Sequence, residues 1–195
     1  MKTKNIVLCG LFAAILCCFA AITIYLPFTS IPITLQVIGV SVAGAVLGKK
    51  YGGLSVLIYV LIGLCGLPVF SGMKGGVTAL AGPTGGYILG FIAEAFVTGY
   101  CIEKFVKNTD NKFIKNIKIF ISMIIGLIVL YAIGTIQFMF ISSISLYKAL
   151  SLAVIPFVPL DVIKLVVSVL ISVFIRNNIY NIDTSKASVW CFFFM

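Results

Sequence analysis

Histidine is absent from this 195-residue chain, and that absence closes several chemistries at once. A Ser-His-Asp triad, an H-E-x-x-H metalloprotease helix and most zinc chemistry all depend on imidazole. No G-x-S-x-G turn and no G-x-x-x-x-G-K-[ST] phosphate loop occurs either. The run Gly82-Pro83-Thr84-Gly85-Gly86 lacks the phosphate-binding lysine, so it is not a nucleotide site. The six cysteines, Cys9, Cys17, Cys18, Cys65, Cys101 and Cys191, form no C-x-x-C pair and no metal-ligand spacing. Most of them fall in apolar runs and read as small packing residues. An enzyme is disfavoured, no cofactor is implied, and the chain has no recognisable means of hydrolysing ATP.

Charge is scarce as well. Charged residues make up 10% of the chain and apolar ones 62%, where soluble domains carry roughly 25% charge. The mean hydropathy is +1.23. A membrane-crossing helix needs about 20 mostly apolar residues. The pattern predicts an all-α integral membrane protein with six spans, at 6–26, 35–47, 54–66, 86–101, 117–140 and 152–175. The second and third are short for complete crossings, and a tight turn at Lys49-Lys50 would join them.

The net charge of +9 follows those spans. Lys2, Lys4, Lys49, Lys50, Lys104, Lys107, Lys112, Lys115, Lys118, Arg176 and Lys186 fall on one side; only Lys74 and Lys148 fall on the other. Cytoplasmic loops carry the Lys/Arg excess, so both termini are expected inside a bacterial cytoplasmic membrane. No basic stripe interleaved with aromatics exists to bind nucleic acid. All six prolines lie at or beyond the outer ends of the spans, so the irregular backbone is expected on the outer face. The first apolar run resembles a signal peptide, but its removal would leave five spans and break the charge parity.

The loop Gly66–Tyr87, between the third and fourth spans, holds seven glycines, two prolines and one charge, Lys74. Such a composition gives defined turns that bring backbone N–H and C=O groups close to a ligand. Irregular backbone in a membrane protein is tolerated where it lines a cavity, so the loop points to an outward-facing small-molecule pocket.

Ionisable residues inside spans are costly and mark function by default. Asp161 and Lys164 share a helix face at i and i+3 in P-F-V-P-L-D-V-I-K. They form either a self-neutralising pair or an acceptor and donor for a neutral polar group such as a cyclic urea. Glu94, in the fourth span, is either a protonated or paired carboxylate or a ligand contact. Gln36, at the start of the second, offers two donors and an acceptor, or caps a helix. The helix start at Gly85-Gly86 favours an anion. Tyr87 and Phe91 would wall an apolar slot or simply pack. Ala13, Ala14, Cys17, Cys18 and Ala21 put small residues at helical spacing on the first span, suited either to internal packing or to docking another membrane subunit.

The stretches P-I-T-L-Q (32–36), G-L-P-V-F-S-G (66–72), G-G-V-T-A-L-A-G-P-T-G-G-Y-I-L-G-F (75–91) and P-F-V-P-L-D-V-I-K (156–164) resemble the BioY family, the biotin-binding S components of energy-coupling-factor (ECF) transporters. The resemblance runs from about residue 5 to 178 and implies a single six-helix domain over 1–178. It implies biotin as ligand, with a transmembrane coupling subunit and two ABC-type ATPases as partners. It further implies docking through an A-x-x-x-A pattern on the first helix, which here reads Ala13…Cys17…Ala21 and Ala14…Cys18. Asp161 and Lys164 would then meet the ureido ring, while Gln36 or the Gly85–Gly86 helix start would take the carboxylate. The alternatives are an S component for another vitamin or a biotin precursor, or else an intramembrane enzyme or channel. The tail 179–195, ending in Trp190 and three phenylalanines, departs from the resemblance and is too short to span.

Overall fold

A computed structural model describes residues 3–25, 27, 31–106 and 111–193, with side chains placed no further than Asn177 and not at Lys4. Expectations about Lys2, Lys107 and the side chains of the 179–195 tail, Cys191 among them, lie outside the described residues.

Among the described residues the architecture is all-α apart from one two-residue strand pair. Helix α1 covers Thr3–Ala21 and is followed by strands β1 (Thr23–Ile24) and β2 (Ile33–Thr34). Then come α2 (Gln36–Leu64), α3 (Val77–Ala81), α4 (Gly85–Phe105), α5 (Lys112–Ser142), α6 (Leu146–Ala153) and α7 (Val158–Phe193). The strands pair antiparallel, with Thr23 opposite Thr34 and Ile24 opposite Ile33. Among the described residues, four stretches are long and apolar enough to cross a membrane: Gln36–Leu64, Gly85–Phe105, Lys112–Ser142 and Val158–Asn177; Asn5–Ala21 is a shorter apolar helix.

Helix α2 is a hairpin. Gly48 breaks it at φ 76°, ψ 179°, a combination almost confined to glycine. Gln36 is hydrogen-bonded to Tyr59, 23 residues on, at 2.6 Å; a straight helix would hold them about 34 Å apart. The arms 36–47 and 49–64 therefore lie side by side. Gly44 and Gly52 make the crossing close: a Cβ on Gly52 would come within 2.8 Å of Gly44 Cα. The two short spans read from the sequence are these arms, and Lys49 and Lys50 sit in the helical turn rather than in a loop.

Other boundaries move for local reasons. The sequence reading carries the first span to Leu26, whereas α1 stops at Ala21 because Thr23 and Ile24 pair with β2. The expected 152–175 span splits. Leu152 belongs to the short helix α6, and α7 begins at Val158, past Pro156 and with Pro159 in its first turn, where a missing N–H costs nothing. Asn111 caps α5 by accepting the Phe113 N–H at 2.9 Å.

Helix α4 is central, packed on one side by the α2 hairpin and on the other by α5. The approach is close because glycines replace side chains at the crossings. A Cβ on Gly44 would meet the Ala95 carbonyl oxygen at 2.6 Å, and one on Gly134 would strike the Tyr87 ring. Helix α7 buries Asp161, Leu165, Ser168 and Ser172 while Ile163, Leu170 and Phe174 stay exposed. That 3.6-residue periodicity gives α7 an inward face and a purely apolar outer one, as lipid requires.

Candidate functional site

Asp161 heads the inward stripe of α7, so the periodicity that packs this helix also delivers a carboxylate to the interior. Its side chain is 5% exposed and that of Lys164 12%. Lys164 Nζ donates to Asp161 Oδ1 at 2.7 Å, and the Tyr131 hydroxyl, from α5, donates to Oδ2 at 2.6 Å. Both oxygens are thus held, each with a lone pair left over. A buried carboxylate stripped of these partners would cost several kcal/mol, so the trio forms one unit.

The unit opens on a small cavity of about 50 Å³, within a cleft of about 540 Å³ that is partly open to solvent, between the start of α2, the starts of α4 and α7, the middle of α5 and the end of α6. Its apolar wall is built from Ile31, Ile88, Phe91, Leu130 and Phe157; Thr34, Gln36, Ser71, Thr84 and Tyr87 add polar atoms alongside Asp161 and Lys164. A mostly apolar cavity with a few converging polar groups is the usual form of a small-molecule site. Pro32, Gln36, Ser71, Thr84, Tyr87 and Asp161, scattered along the sequence, meet here.

Gln36 is buried and donates from Nε2 to the Tyr59 hydroxyl at 2.6 Å; that hydroxyl in turn donates to the Val69 carbonyl at 3.0 Å. A cavity-lining amide is therefore wired to the backbone of the Gly66–Tyr87 loop. The loop is fixed elsewhere too. Gly72 N–H donates to Thr23 Oγ1 at 3.1 Å, and Gln137 Nε2 donates to the Leu80 carbonyl at 2.6 Å. Its middle folds into α3, and Phe70 bridges to Lys74. The Gly- and Pro-rich composition thus builds a shaped segment. Tyr87 directs its hydroxyl to the Ala153 carbonyl at 3.3 Å, joining α4 to the end of α6.

Among the residues singled out from the sequence, Gln36, Tyr87, Phe91, Asp161 and Lys164 line the cavity. Gly85 and Gly86 do not. A Cβ on Gly86 would meet Gln137 Cβ at 2.7 Å, and one on Gly85 would strike the Leu80 carbonyl, so Gly86 serves the α4–α5 contact and Gly85 the close approach of α3, while the preceding Thr84 reaches the cavity. Glu94 also stands apart. It is fully buried, accepts from Ser41 Oγ at 2.7 Å, and leaves Oε2 without a protein partner. The sequence reading missed Tyr131, Tyr59 and Gln137. Each is a hydroxyl or amide inside an otherwise apolar helix, and that contrast was the available signal.

The small-residue stripe of α1 divides. Ala13 is 1% exposed and Cys17 half-buried, against the core, whereas Ala14, Cys18 and Ala21 face outward. Among the described residues no group of His, Cys, Asp or Glu is arranged to hold a metal ion.

The chain matches the model of the BioY family over residues 1–181. It is 40% identical to the biotin transporter BioY of Rhizobium etli over 173 residues, covering 88% of this chain and 92% of that protein. It is 42% identical to the biotin transporter BioY of Thermotoga maritima, covering 89% and 96%. The fold superposes on the crystal structure of the S component for biotin from an ECF-type ABC transporter with a TM-score of 0.80, at 30% identity, covering 90% of this chain and 92% of that one. With its fold and sequence matched over nearly their whole length, the chain belongs to the BioY family.

Proposed function

We propose that this chain is the biotin-binding membrane subunit of an ECF-type vitamin importer, a binding protein and not an enzyme. The observation that carries the site assignment is the Asp161–Tyr131–Lys164 unit opening on a largely apolar cavity, in a chain whose relatives are biotin transporters. Biotin has a ureido ring with two N–H donors flanking a carbonyl, a thioether ring and a carboxylate tail. Asp161 accepts from the ureido N–H groups and Lys164 donates to its carbonyl. Such charge-assisted bonds are shorter and stronger than neutral ones in a dehydrated site. Phe91, Phe157 and Tyr87 enclose the rings, and Gln36 with Thr84 takes the carboxylate.

In this reading α1, the two arms of α2, α4, α5 and α7 are six membrane helices of one domain spanning 1–178, with both termini in the cytoplasm of a bacterial cell. The site and the Gly66–Tyr87 loop face outward, and the basic helix ends face inward as the positive-inside rule requires. A transmembrane coupling subunit and two ABC-type ATPases supply the energy. The outward small face of α1, at Ala14, Cys18 and Ala21, is the docking surface.

The test is calorimetric titration of the purified full-length protein with biotin, thiamine and riboflavin. One-to-one biotin binding lost in Asp161→Asn establishes ligand and site together; binding of a control vitamin in place of biotin overturns the ligand. Orientation is read separately from biotin and its methyl ester in Lys164→Ala. If that substitution erases the preference for free biotin, Lys164 holds the carboxylate and the ligand lies the other way round.

A further inference from the structure

At the end of the bundle remote from the biotin cavity, the α2 turn meets the last turn of α4 and the Arg176 turn of α7 around a second, larger space of about 1090 Å³, much of it open to solvent. Its lining joins Lys49, Lys104, Arg176 and Glu103 to Ala45, Val46, Leu47 and Ile102. Three cations face one carboxylate, and that carboxylate is already committed. Glu103 accepts the Lys49 backbone N–H at 3.0 Å and pairs with Lys49 Nζ at 3.3 Å. Lys104 lies over the rings of Tyr100 and Phe105, 6.0 and 5.9 Å from their centres. Arg176 makes one long hydrogen bond, 3.4 Å, to the Ala45 carbonyl and has no carboxylate partner among the described residues. An adjoining space shares Arg176 and adds Lys112 and Lys115. Among the described residues, a guanidinium with one hydrogen bond from its five donors, beside an ammonium with no carboxylate partner, suits a phosphate group, which guanidinium binds in bidentate fashion.

We infer that this basic cavity seats the phosphate of an anionic phospholipid headgroup. The geometry favours a lipid over a soluble anion for two reasons. The cations stand at the ends of membrane-length helices, at headgroup depth. Beneath them the wall is apolar, so the glycerol and first acyl carbons continue from the phosphate onto Ala45, Val46 and Leu47. Juxtamembrane Lys and Arg residues each contribute about 1 kcal/mol of attraction to anionic lipid. The inference rests on the membrane reading of the chain but on no feature of the biotin site.

The experiment is native mass spectrometry of the full chain, delipidated and reloaded from an equimolar mixture of phosphatidylglycerol and phosphatidylcholine. Wild-type protein is expected to retain phosphatidylglycerol preferentially. Lys104→Gln/Arg176→Gln loses that preference by about 30-fold, and Lys148→Gln, a single lysine replaced at the other end of the bundle, keeps it. Biotin titration of each variant separates loss of the lipid site from loss of the fold. Should Arg176→Gln fail to fold, Lys104→Gln/Lys112→Gln replaces two exposed lysines of the same region and is expected to weaken retention in the same direction. Equal retention of both lipids by the wild type, an equal loss in Lys148→Gln, or displacement of the lipid by millimolar inorganic phosphate overturns the proposal.

Discussion

Tyr131 donates to the Asp161 carboxylate at 2.6 Å from a neighbouring helix, on the oxygen that Lys164 does not use. Two partners on two helices fix the plane of the carboxylate before a ligand arrives. A carboxylate on α7 alone would rotate and would have to be ordered on binding, at a cost in affinity. Held this way, it presents its remaining lone pairs in a set direction, as selection of a rigid cyclic ligand requires.

Tyr131→Phe removes that restraint and leaves the ring. Hydrogen bonds to charged groups are worth about 1.5–3 kcal/mol, so biotin affinity is expected to fall by about tenfold or more, read by calorimetry. Asp161→Asn is expected to cost more, since it removes the charge. If Tyr131→Phe binds like wild type while Asp161→Asn does not, Tyr131 serves only the fold.

Tyr59 joins the cavity to the loop, taking a hydrogen bond from Gln36 and giving one to the Val69 carbonyl. Tyr59→Phe cuts both links and leaves a buried amide donor unpaired, at about 1–3 kcal/mol. Amide hydrogen exchange over 67–76 is expected to accelerate while the core of α4 stays protected. An unchanged loop profile would show that the contacts through Gly72 and Gln137 hold the segment alone.

Much of this arrangement was legible in the sequence because membrane helices follow simple rules. The apolar runs located most of the helices, and Asp161, Lys164 and Gln36 stood out as polar groups in apolar surroundings. The tight turn read at Lys49-Lys50 falls at Gly48, one residue earlier. What composition does not encode is the long-range contact between the arms, through Gln36 and Tyr59. Gly85 and Gly86 show a second limit. A glycine pair at a helix start reads as an anion site, yet the space beside these two glycines is filled by the Leu80 carbonyl and Gln137, and neither lines the cavity. Tyr131 shows a third, since its importance comes from the partner that α5 meets on α7, a long-range contact.

Glu94 tests whether a buried ionisable residue must touch ligand. It does not line the cavity, and its one protein partner is Ser41 at 2.7 Å. Glutamine has the same shape, keeps an oxygen for Ser41, and removes any charge to be buried. Glu94→Gln is therefore expected to keep biotin affinity within about twofold and to match or raise thermal stability. A loss of affinity greater than tenfold in a folded variant would place Glu94 in the ligand's field.

Gly48 holds φ 76° and ψ 179°, a conformation that costs other residues about 1–3 kcal/mol. A Cβ there would also press on Glu103 Oε1 at 2.7 Å, the atom that accepts the Lys49 N–H. Gly48→Ala is expected to lower the thermal midpoint in detergent. Gly10→Ala, where an added Cβ meets nothing within 4 Å, is the matched control and is expected to be neutral or stabilising. Equal behaviour of the two variants would mean that the turn relaxes to another geometry.

The division of α1 separates a core-facing position from an outward one in a single pair of adjacent residues. Ala13 is 1% exposed and packed in the core, whereas Ala14 faces away from the bundle. A large side chain at Ala13 overpacks the interior, at about 1–3 kcal/mol or more; the same side chain at Ala14 starts from an exposed position. Ala13→Trp is expected to lose thermal stability and biotin binding together. Ala14→Trp is expected to bind biotin like wild type but to fail in uptake by vesicles containing the complete transporter, because small residues let membrane helices approach closely and a bulky one holds them apart. Normal uptake by Ala14→Trp would move the docking surface off this face of α1, while loss of biotin binding in both variants would show that the outer face of α1 also supports the fold.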